Sequence, residues 1–185
     1  MINIVNAPNS VLSEIAKPYV FQKNDKFLPV LLKDMEEALL SATDPKGVGL
    51  AAPQIGKSIS IFLAKPTEKA KISIFINPQI VESEQSSSQE SGVRSQKLKK
   101  LEGCLSLPSI WGEVKRSPEV TLSYFDPKGV QRTKKFTGFM ATITQHEVDH
   151  LHGVLFPRRV LEQKGKLYKS SKNEKGEDEF EELSI

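Results

Sequence analysis

The order of the predicted elements places this chain in the α+β class. An amphipathic helix comes first, two β-like runs and a β-hairpin follow, and a second helix comes late in the chain. Strands and helices do not alternate strictly, so a doubly wound parallel sheet fits less well than antiparallel strands with separate helices. With 185 residues, the chain is long enough for one domain with its own core.

The first half of the chain predicts one helix and two strands. Residues 27–42 repeat leucine and methionine at helical spacing, and Pro29 falls in the first turn, where its missing N–H costs nothing. The Gly- and Pro-rich residues 43–56 predict a loop. Runs rich in Ile and Phe predict strands at 58–64 and 72–81.

The middle of the chain predicts a mobile loop and then a hairpin. Residues 83–100 hold six serines and few large apolar side chains, so they cannot bury enough apolar surface to offset the entropy of ordering. Residues 118–126 and 130–138 flank a turn formed around Asp-Pro-Lys-Gly and predict paired strands.

The last third predicts a helix followed by a polar tail. The pattern from Gly138 to His152 is helical, and Gly153 suits the position just beyond the helix end. We expect residues 1–160 to form a single catalytic domain. The charged residues 161–185 are expected to form a tail with a short helix around Phe180 and Leu183.

Composition narrows the class of function. The formal net charge of +3 is too small to indicate DNA binding, which needs a clustered basic face. No apolar run is long enough for a membrane span, and the N-terminus lacks the features of a signal peptide. One cysteine cannot form an internal disulfide, so we expect a cytoplasmic protein. A monomer is the default expectation.

All three histidines lie in the stretch TQHEVDHLHG, residues 144–153. On a helix, His146 and His150 are separated by about 40° of rotation and can reach one metal ion. Glu147 is angled to the same side, where it can act as general base on a water. His152 lies about 200° around the helix from His150, so we interpret it as a surface residue. The alternatives are an accidental spacing and a pair of hydrogen-bonded core histidines.

The histidine pair leaves a third ligand to be found, since a hydrolytic site keeps one position open for water. No histidine follows His152, and the acidic residues after it lie in the polar tail. Cys104, between Gly103 and Pro108 in a stretch that favours a tight turn, is the remaining candidate. A simply packed cysteine is the alternative.

Three stretches together resemble the motifs of the peptide deformylases. GVGLAAPQ at 47–54, EGCLS at 102–106 and QHEVDHLHG at 145–153 match that family's first, second and third motifs, in order. The resemblance extends over about residues 3–160, including NAPNSVL at 6–12 and INP at 76–78. It implies antiparallel sheets wrapped around a central metal-binding helix, and removal of the N-formyl group from the initiator methionine of new polypeptides.

The resemblance also implies a ligand set and a mechanism. A divalent ion is held by Cys104, His146 and His150, with Fe²⁺ as the native metal and Zn²⁺, Ni²⁺ or Co²⁺ able to replace it. A water bound to that ion ionises near neutral pH and attacks the formyl carbon, and Glu147 takes its proton and passes it to the leaving amine.

An oxyanion forms in this reaction and needs preorganised donors. The side-chain NH₂ of Gln54 is suited to that role, with capping of nearby loop backbone as the alternative. The resemblance adds the backbone N–H of Leu105. It further suggests that Glu102 and Gln145 hold the ligand-bearing segments, with Arg116 either paired to Glu102 or solvated.

We expect the substrate's methionine side chain to occupy a pocket beside the same helix. Phe139, Thr142, Ile143 and His146 form one helical stripe that ends at the predicted metal site. Glycines in the first motif would let its backbone approach the substrate closely. The expected substrate-binding residues are Gly47, Val48, Gly49, Phe139 and Ile143, with Leu50 and Trp111 as further candidates.

Two other functions are compatible with parts of this pattern. An endopeptidase of the His-Glu-x-x-His type leaves Cys104 and Gln54 without a role. A metal or redox sensor leaves Glu147 without a role, whereas an open position beside a base suits hydrolysis. Association with the ribosome through residues 162–185 is a separate hypothesis.

Overall fold

Two antiparallel sheets and three helices form the described part of this computed structural model, residues 2–83 and 101–184. The helices are α1 (Phe27–Ser41), α2 (Gly138–Leu151) and α3 (Phe156–Glu162). The strands are β1 (Gly49–Ala51), β2 (Ile61–Ala64), β3 (Ser73–Ser83), β4 (Leu101–Cys104), β5 (Leu107–Glu113), β6 (Glu119–Phe125), β7 (Gln131–Thr137), β8 (Leu167–Lys172) and β9 (Asp178–Glu182). Short 3₁₀ turns occur at Ser10–Ser13 and Ala52–Ile55. The predicted α+β class is confirmed.

The two sheets are arranged around helix α2. One has five strands in the order β1-β2-β3-β6-β7, and the other has four in the order β4-β5-β8-β9. Helix α2 contacts β1, β2, β6 and β7 of the larger sheet. The end of β4 brings the second sheet to the same helix, because Sγ of Cys104 lies 3.2 Å from Nε2 of His150. The predicted arrangement of sheets around a central helix is therefore confirmed.

Helix α1 forms where its apolar periodicity predicts it. Leu28, Leu31, Met35 and Leu39 are buried on one face and pack in a cluster with residues of β1 and β2. Leu40 belongs to the predicted stripe but is 58% exposed. None of the helices in the described ranges is long and apolar enough to cross a membrane.

Helix α2 buries one apolar side and ends on a glycine. Ala141, Ile143, Val148 and Leu151 join the core cluster that also contains β2, β3 and β6 side chains. Gly153 has φ +68°, a conformation that side chains other than glycine adopt with strain. A Cβ there would also lie 2.5 Å from the backbone oxygen of Ser13, so the predicted helix end requires this glycine.

The predicted hairpin forms between β6 and β7. Gly129 donates its N–H to the backbone oxygen of Asp126 at 2.9 Å and has φ +76°. The Oδ1 atom of Asp126 accepts the backbone N–H groups of Lys128 and Val130. The predicted serine-rich loop, 83–100, lies outside the described residues except for Ser83, at the end of β3.

Two predictions for loops and the tail are wrong. Residues 43–56 are not only a loop, because they contain β1, whose Gly49 and Ala51 pair with Ala64 and Phe62 of β2. A three-residue strand is too short to produce an alternating pattern, and its stability comes from pairing and burial.

The short helix predicted around Phe180 and Leu183 is a strand instead. β9 pairs with β8, and β8 with β5, so residues of the predicted tail extend the smaller sheet. Phe180 contacts Trp111 edge-on, with ring centroids 5.8 Å apart. This cross-strand contact and the pairing with β8 favour a strand over a helix.

Candidate metal centre

Three potential metal-binding side chains meet where α2 approaches the end of β4. The rings of His146 and His150 lie on one face of α2, with centroids 4.9 Å apart. Cys104 is the last residue of β4, where the pairing with β5 shifts register after Gly103. One donor atom from each of Cys104, His146 and His150 lies within 4.8 Å of the other two. The sequence predicted all three residues, and the fold brings them together.

The donor set fits a divalent transition metal. A thiolate and two imidazoles are ligands that zinc and its neighbours accept, and three protein ligands leave one position for water or substrate. Nδ1 of His146 lies 3.1 Å from Oε2 of Glu102, which leaves Nε2 of that ring to act as a ligand. Nδ1 of His150 has no hydrogen-bond partner among the described residues.

Electrostatic interactions at the centre favour the thiolate form of Cys104, which is the form that binds a metal ion. Burial by itself would raise the pKa of the Cys104 thiol, but the neighbouring His150 and His146 lower it to about 5. Burial likewise opposes a charged His146, but Cys104 and Glu102 outweigh it, so the pKa of His146 is well above its ordinary value. A metal ion would replace the protons of these groups, and its binding should release protons.

Glu147 points toward the same region from the next position on α2. It is 3% exposed, and burial raises its pKa to about 7 against the opposing effect of His146 and His150. Its Oε2 has no hydrogen-bond partner within the described ranges. A buried carboxylate oxygen of this kind needs a donor, and a water on an ion held by the neighbouring ligands would supply one.

Gly49 of β1 fixes how closely the sheet approaches Glu147. A Cβ at Gly49 would lie only 2.2 Å from Oε1 of Glu147 and 3.0 Å from Cγ2 of Ile143. Only a glycine therefore lets the strand backbone lie against the carboxylate. The sequence predicted a close approach at this glycine toward the substrate, and the structure shows one toward Glu147 and Ile143.

Gln54 is buried in the 3₁₀ turn that follows β1. Its Oε1 accepts the backbone N–H of Ala51 at 2.9 Å, so the backbone-capping interpretation describes that oxygen correctly. The same contact directs Nε2 toward Sγ of Cys104 at 3.6 Å and Oγ of Ser106 at 3.3 Å. Leu105 lies in the turn between β4 and β5, next to Cys104.

A buried ion pair supports His146. Arg116 donates from Nε and Nη2 to the two carboxylate oxygens of Glu102, at 2.8 and 2.9 Å. The side chains of Arg116 and Glu102 are 9% and 10% exposed, so the solvated alternative for Arg116 is wrong. Burial would raise the pKa of Glu102, but His146 and Arg116 lower it to about 2.

Gln145 joins α2 to the segment before β6. Its Oε1 accepts the N–H of Ser117, and its Nε2 donates to the backbone oxygen of Ser117, each at 3.0 Å. Nε2 also donates to the backbone oxygen of Ala141 at 2.9 Å. These bonds hold the ligand-bearing helix against the chain that carries Arg116. His152, in contrast, is exposed, with Nδ1 2.9 Å from the backbone oxygen of Val148.

The predicted pocket residues differ in their burial and in the side chains they contact. Ile143 is buried beside Gly49, and Val48 is half-buried against the same core cluster. Phe139 is 48% exposed, near the start of α2. A Cβ at Gly47 would lie 2.3 Å from the backbone oxygen of Leu39, so its close approach is to the end of α1.

Leu50 and Trp111 do not line one pocket together, because they lie in different parts of the fold. Leu50 is fully buried in the cluster that contains α1 residues. A Cβ at Gly103 would lie 2.8 Å from the ring of Trp111. Nε1 of Trp111 donates to Oγ of Ser170 at 3.1 Å. Trp111 thus covers β4 and bonds to the β8 strand.

Sequence reasoning missed three polar residues around the centre. Ser106 is fully buried, and its Oγ accepts from Gln54. Asp149 is buried and accepts hydrogen bonds from Arg116 and Arg159. Ser106 and Asp149 lie inside the quoted motifs, where a buried polar role could have been considered. Arg159 carries no such signal, because its partner is ten residues away in a different helix.

A family model described as Polypeptide deformylase matches residues 1–166. The chain belongs to the peptide deformylase family. As a peptide deformylase it is a hydrolase that acts in protein biosynthesis, and the family's activity is removal of the N-formyl group from nascent peptides. The match ends just before β8, so the β8–β9 hairpin lies beyond it.

Individual deformylases resemble the chain over most of its length. The peptide deformylase of Brucella suis is 38% identical over 156 residues, covering 83% of this chain and 81% of the relative. That of Lactobacillus helveticus is 34% identical over 174 residues, covering 86% and 90%.

Solved deformylase structures share the fold. The crystal structure from Thermotoga maritima has a TM-score of 0.69 and 34% identity, covering 86% of this chain and 97% of that one. A Met-Ala-Ser-bound class I type b enzyme from Acinetobacter baumannii has a TM-score of 0.70 and 30% identity, covering 86% and 98%.

Proposed function

We propose that this deformylase hydrolyses the formyl amide of formyl-methionyl peptides with Glu147 as its proton carrier. The observation that carries the proposal is the placement of a buried carboxylate beside three potential metal ligands. The donor atoms of Cys104, His146 and His150 lie within 4.8 Å of one another, and Glu147 is the next residue after His146 on the same helix.

Cys104, His146 and His150 would hold the ion. A divalent ion bound there supplies Lewis-acid chemistry, which lowers the pKa of water and polarises a carbonyl. We propose Fe²⁺ as the native metal, with Zn²⁺, Ni²⁺ or Co²⁺ able to bind the same donor set. The thiolate ligand makes an Fe²⁺ site sensitive to oxidation, so the metal in purified protein depends on how it is prepared.

Glu147 moves one proton through the reaction. It accepts a proton from the attacking water as the C–O bond forms at the formyl carbon, and it returns that proton to the amine nitrogen as the C–N bond breaks. The products are formate and a peptide with a free N-terminal amine. Burial raises the pKa of Glu147 to about 7, and a pKa near the working pH lets one group serve as both base and acid.

Gln54 and the Leu105 backbone N–H are proposed to bind the developing oxyanion. Nε2 of Gln54 donates at present only over long distances, 3.6 Å to Cys104 and 3.3 Å to Ser106. Such long contacts leave it able to donate more strongly to a negative oxygen. The bond from Ala51 N–H to Oε1 fixes the amide orientation before substrate arrives.

The methionine side chain of the substrate is proposed to lie beside α2. Ile143 and the backbone at Gly49 adjoin Glu147, with Val48 nearby in the chain and Phe139 one turn earlier on the helix. Gly47 completes the proposed set through the first-motif backbone. We infer that selectivity for formyl over acetyl is steric, because a site fitted around a hydrogen atom leaves no room for a methyl group.

We propose that the chain acts as a monomer in the cytoplasm, where formylated polypeptides are made. The structure of the Acinetobacter baumannii relative was determined with Met-Ala-Ser bound, and the same peptide class is proposed as product here. Ribosome association through residues 162–185, which include the β8–β9 hairpin, remains a hypothesis. Deleting 162–185 should weaken ribosome binding, and unchanged affinity would refute it.

One assay tests the function against its rivals. The protein is purified anaerobically with Fe²⁺, or with Ni²⁺, and is given formyl-methionyl and acetyl-methionyl peptides. We expect formate release from the first substrate only, and its loss in Glu147→Gln at unchanged metal content. Undiminished release by that variant would refute the mechanism, whereas cleavage inside an unformylated peptide would indicate an endopeptidase.

A further inference from the structure

A chain of charged side chains leads from α3 to the metal centre. Arg159 donates from Nη2 to Oδ1 of Asp149 at 2.6 Å and from Nε to Oδ2 at 3.1 Å. Oδ2 of Asp149 also accepts from Nη1 of Arg116 at 2.6 Å. Arg116 is bidentate on Glu102, and Oε2 of Glu102 lies 3.1 Å from Nδ1 of His146.

With His146 neutral, as a metal-ligating histidine is, the carboxylates of Glu102 and Asp149 are balanced by two guanidinium groups only if Arg159 is counted. Glu102 and Asp149 are two buried carboxylates, and Arg116 is the guanidinium that touches both. A buried charge that loses its partner is strongly destabilised. Without Arg159, Asp149 would compete with Glu102 for the same guanidinium. Arg116 could then keep its two bonds to Glu102 only by leaving Asp149 under-neutralised.

We infer that Arg159 is a positioning residue for the metal centre. By neutralising Asp149, it leaves Arg116 bidentate on Glu102, and Glu102 in turn holds the His146 ring with Nε2 free to bind metal. Partners of this kind fix the tautomer and orientation of a ligating histidine. The inference rests on the proposed function, because it takes His146 to be a metal ligand.

A purely structural role for Arg159 is the competing explanation. Helix α3 is already anchored by Phe156 and Val160, which are buried against β5 and its neighbours. Arg159 also donates to Glu162 at 2.9 Å, as the adjacent Arg158 does at 3.0 Å. Arg158 therefore offers a matched control, since it has the same charge, helix and partner but is 68% exposed.

The test compares metal binding by full-length Arg159→Met and Arg158→Met proteins. Each is loaded with Co²⁺, whose affinity is measured by competition with a chelator and whose ligand geometry is read from its visible absorption bands. We expect Arg159→Met to bind Co²⁺ about 10-fold more weakly, with shifted bands, as for other partners behind a ligand. Arg158→Met should keep the wild-type bands and stay within about twofold in affinity.

A second substitution separates positioning from helix docking. In the Arg159→Met background, Asp149→Asn removes the carboxylate that competes for Arg116, so it should recover most of the lost affinity and the wild-type bands. A docking role predicts a further loss instead. Arg159→Lys keeps one charge but not the bidentate contact, and its affinity should fall between those of wild type and Arg159→Met.

The outcomes are decisive in either direction. Equal Co²⁺ affinity and bands in Arg159→Met and Arg158→Met would overturn the inference, as would a double variant no better than the single one. If Arg159→Met fails to fold, Arg159→Lys and the double variant carry the same comparison. A wild-type protein that binds Co²⁺ tightly but releases no formate would refute the proposed function and leave this test intact.

Discussion

Replacing Gly49 with alanine tests whether Glu147 must lie where the structure places it. The new Cβ would be 2.2 Å from Oε1 and 2.8 Å from Cδ of Glu147. Gly49 is paired with Ala64 of β2, so the strand cannot easily retreat and the carboxylate must move. Ordinary contact begins at 3.4 Å, which requires a displacement of about 1 Å.

A displacement of this size should be costly for the reaction. Moving a catalytic group by about 1 Å lowers the rate on the order of 100-fold, equivalent to about 3 kcal/mol of activation free energy. The added methyl group also overpacks the site against Ile143, at a cost of about 1–3 kcal/mol in the free energy of unfolding. Metal content should stay near that of wild type, because Cys104 and the two histidines are not in the predicted overlap.

The assay measures kcat for a formyl-methionyl peptide, metal content and the free energy of unfolding. Gly165→Ala is the comparison variant, since its Cβ would overlap the backbone oxygen of Glu113 at 2.6 Å, away from Glu147 and from the proposed substrate-binding residues. Both variants should lose stability, but only Gly49→Ala should lose kcat by two orders of magnitude. Folded, metal-loaded Gly49→Ala with kcat within about threefold of wild type would refute the reasoning, as would an equal loss in Gly165→Ala.

Three further predictions concern other parts of the centre. Gln54→Ala should lower kcat about 100- to 1000-fold at unchanged metal content, and a fall of less than about tenfold would argue against an oxyanion role. The pKa of Glu102 falls from 4.5 to about 2 on folding, so its charge contributes about 3 kcal/mol of stability above pH 5. That contribution is lost as the pH falls toward 2, so the stability gap between wild type and Glu102→Gln in urea titrations should shrink on acidification; a constant gap would contradict it. Chelation of the metal should lower the melting temperature, and restoring Co²⁺ or Ni²⁺ should reverse the change, whereas no shift would argue against metal binding to the folded state.

Helices α1 and α2 and strands β2, β3, β6 and β7 of the larger sheet were predictable from local patterns, whereas α3 and β1 were not predicted. Helix α1 has a sustained apolar period and a proline in its first turn, and α2 has a stop signal at Gly153. Both signals lie in contiguous residues, so they can be recognised without knowledge of the fold. The two candidate metal ligands of α2 were predictable for the same reason, since helical spacing alone puts two histidines on one face.

The β8–β9 hairpin shows a signal that was present but not recognised. In the recognised hairpin, Oδ1 of Asp126 accepts the N–H groups two and four residues later. Asn173 does the same with Lys175 and Glu177, and Gly176 has φ +78°. The turn chemistry is equivalent, but the flanking residues are so polar that the tail resembled a solvated segment. Pairing with β5, which no local pattern predicts, is what orders it.

The position of Cys104, the third candidate ligand, could not be predicted from local patterns, because it depends on tertiary structure. Cys104 comes from a strand of the smaller sheet, while both histidines come from a helix packed on the larger one. The contacts that join the two include the bonds of Arg116 to Glu102 on β4 and to Asp149 on α2. The same ion pairs that complete the fold therefore set the distance between the thiolate and the imidazoles. Weakening one of these ion pairs should lower metal affinity before it lowers the stability of the fold. Three donor atoms must converge on one ion, whereas the helix and the sheets are also held by their apolar cores.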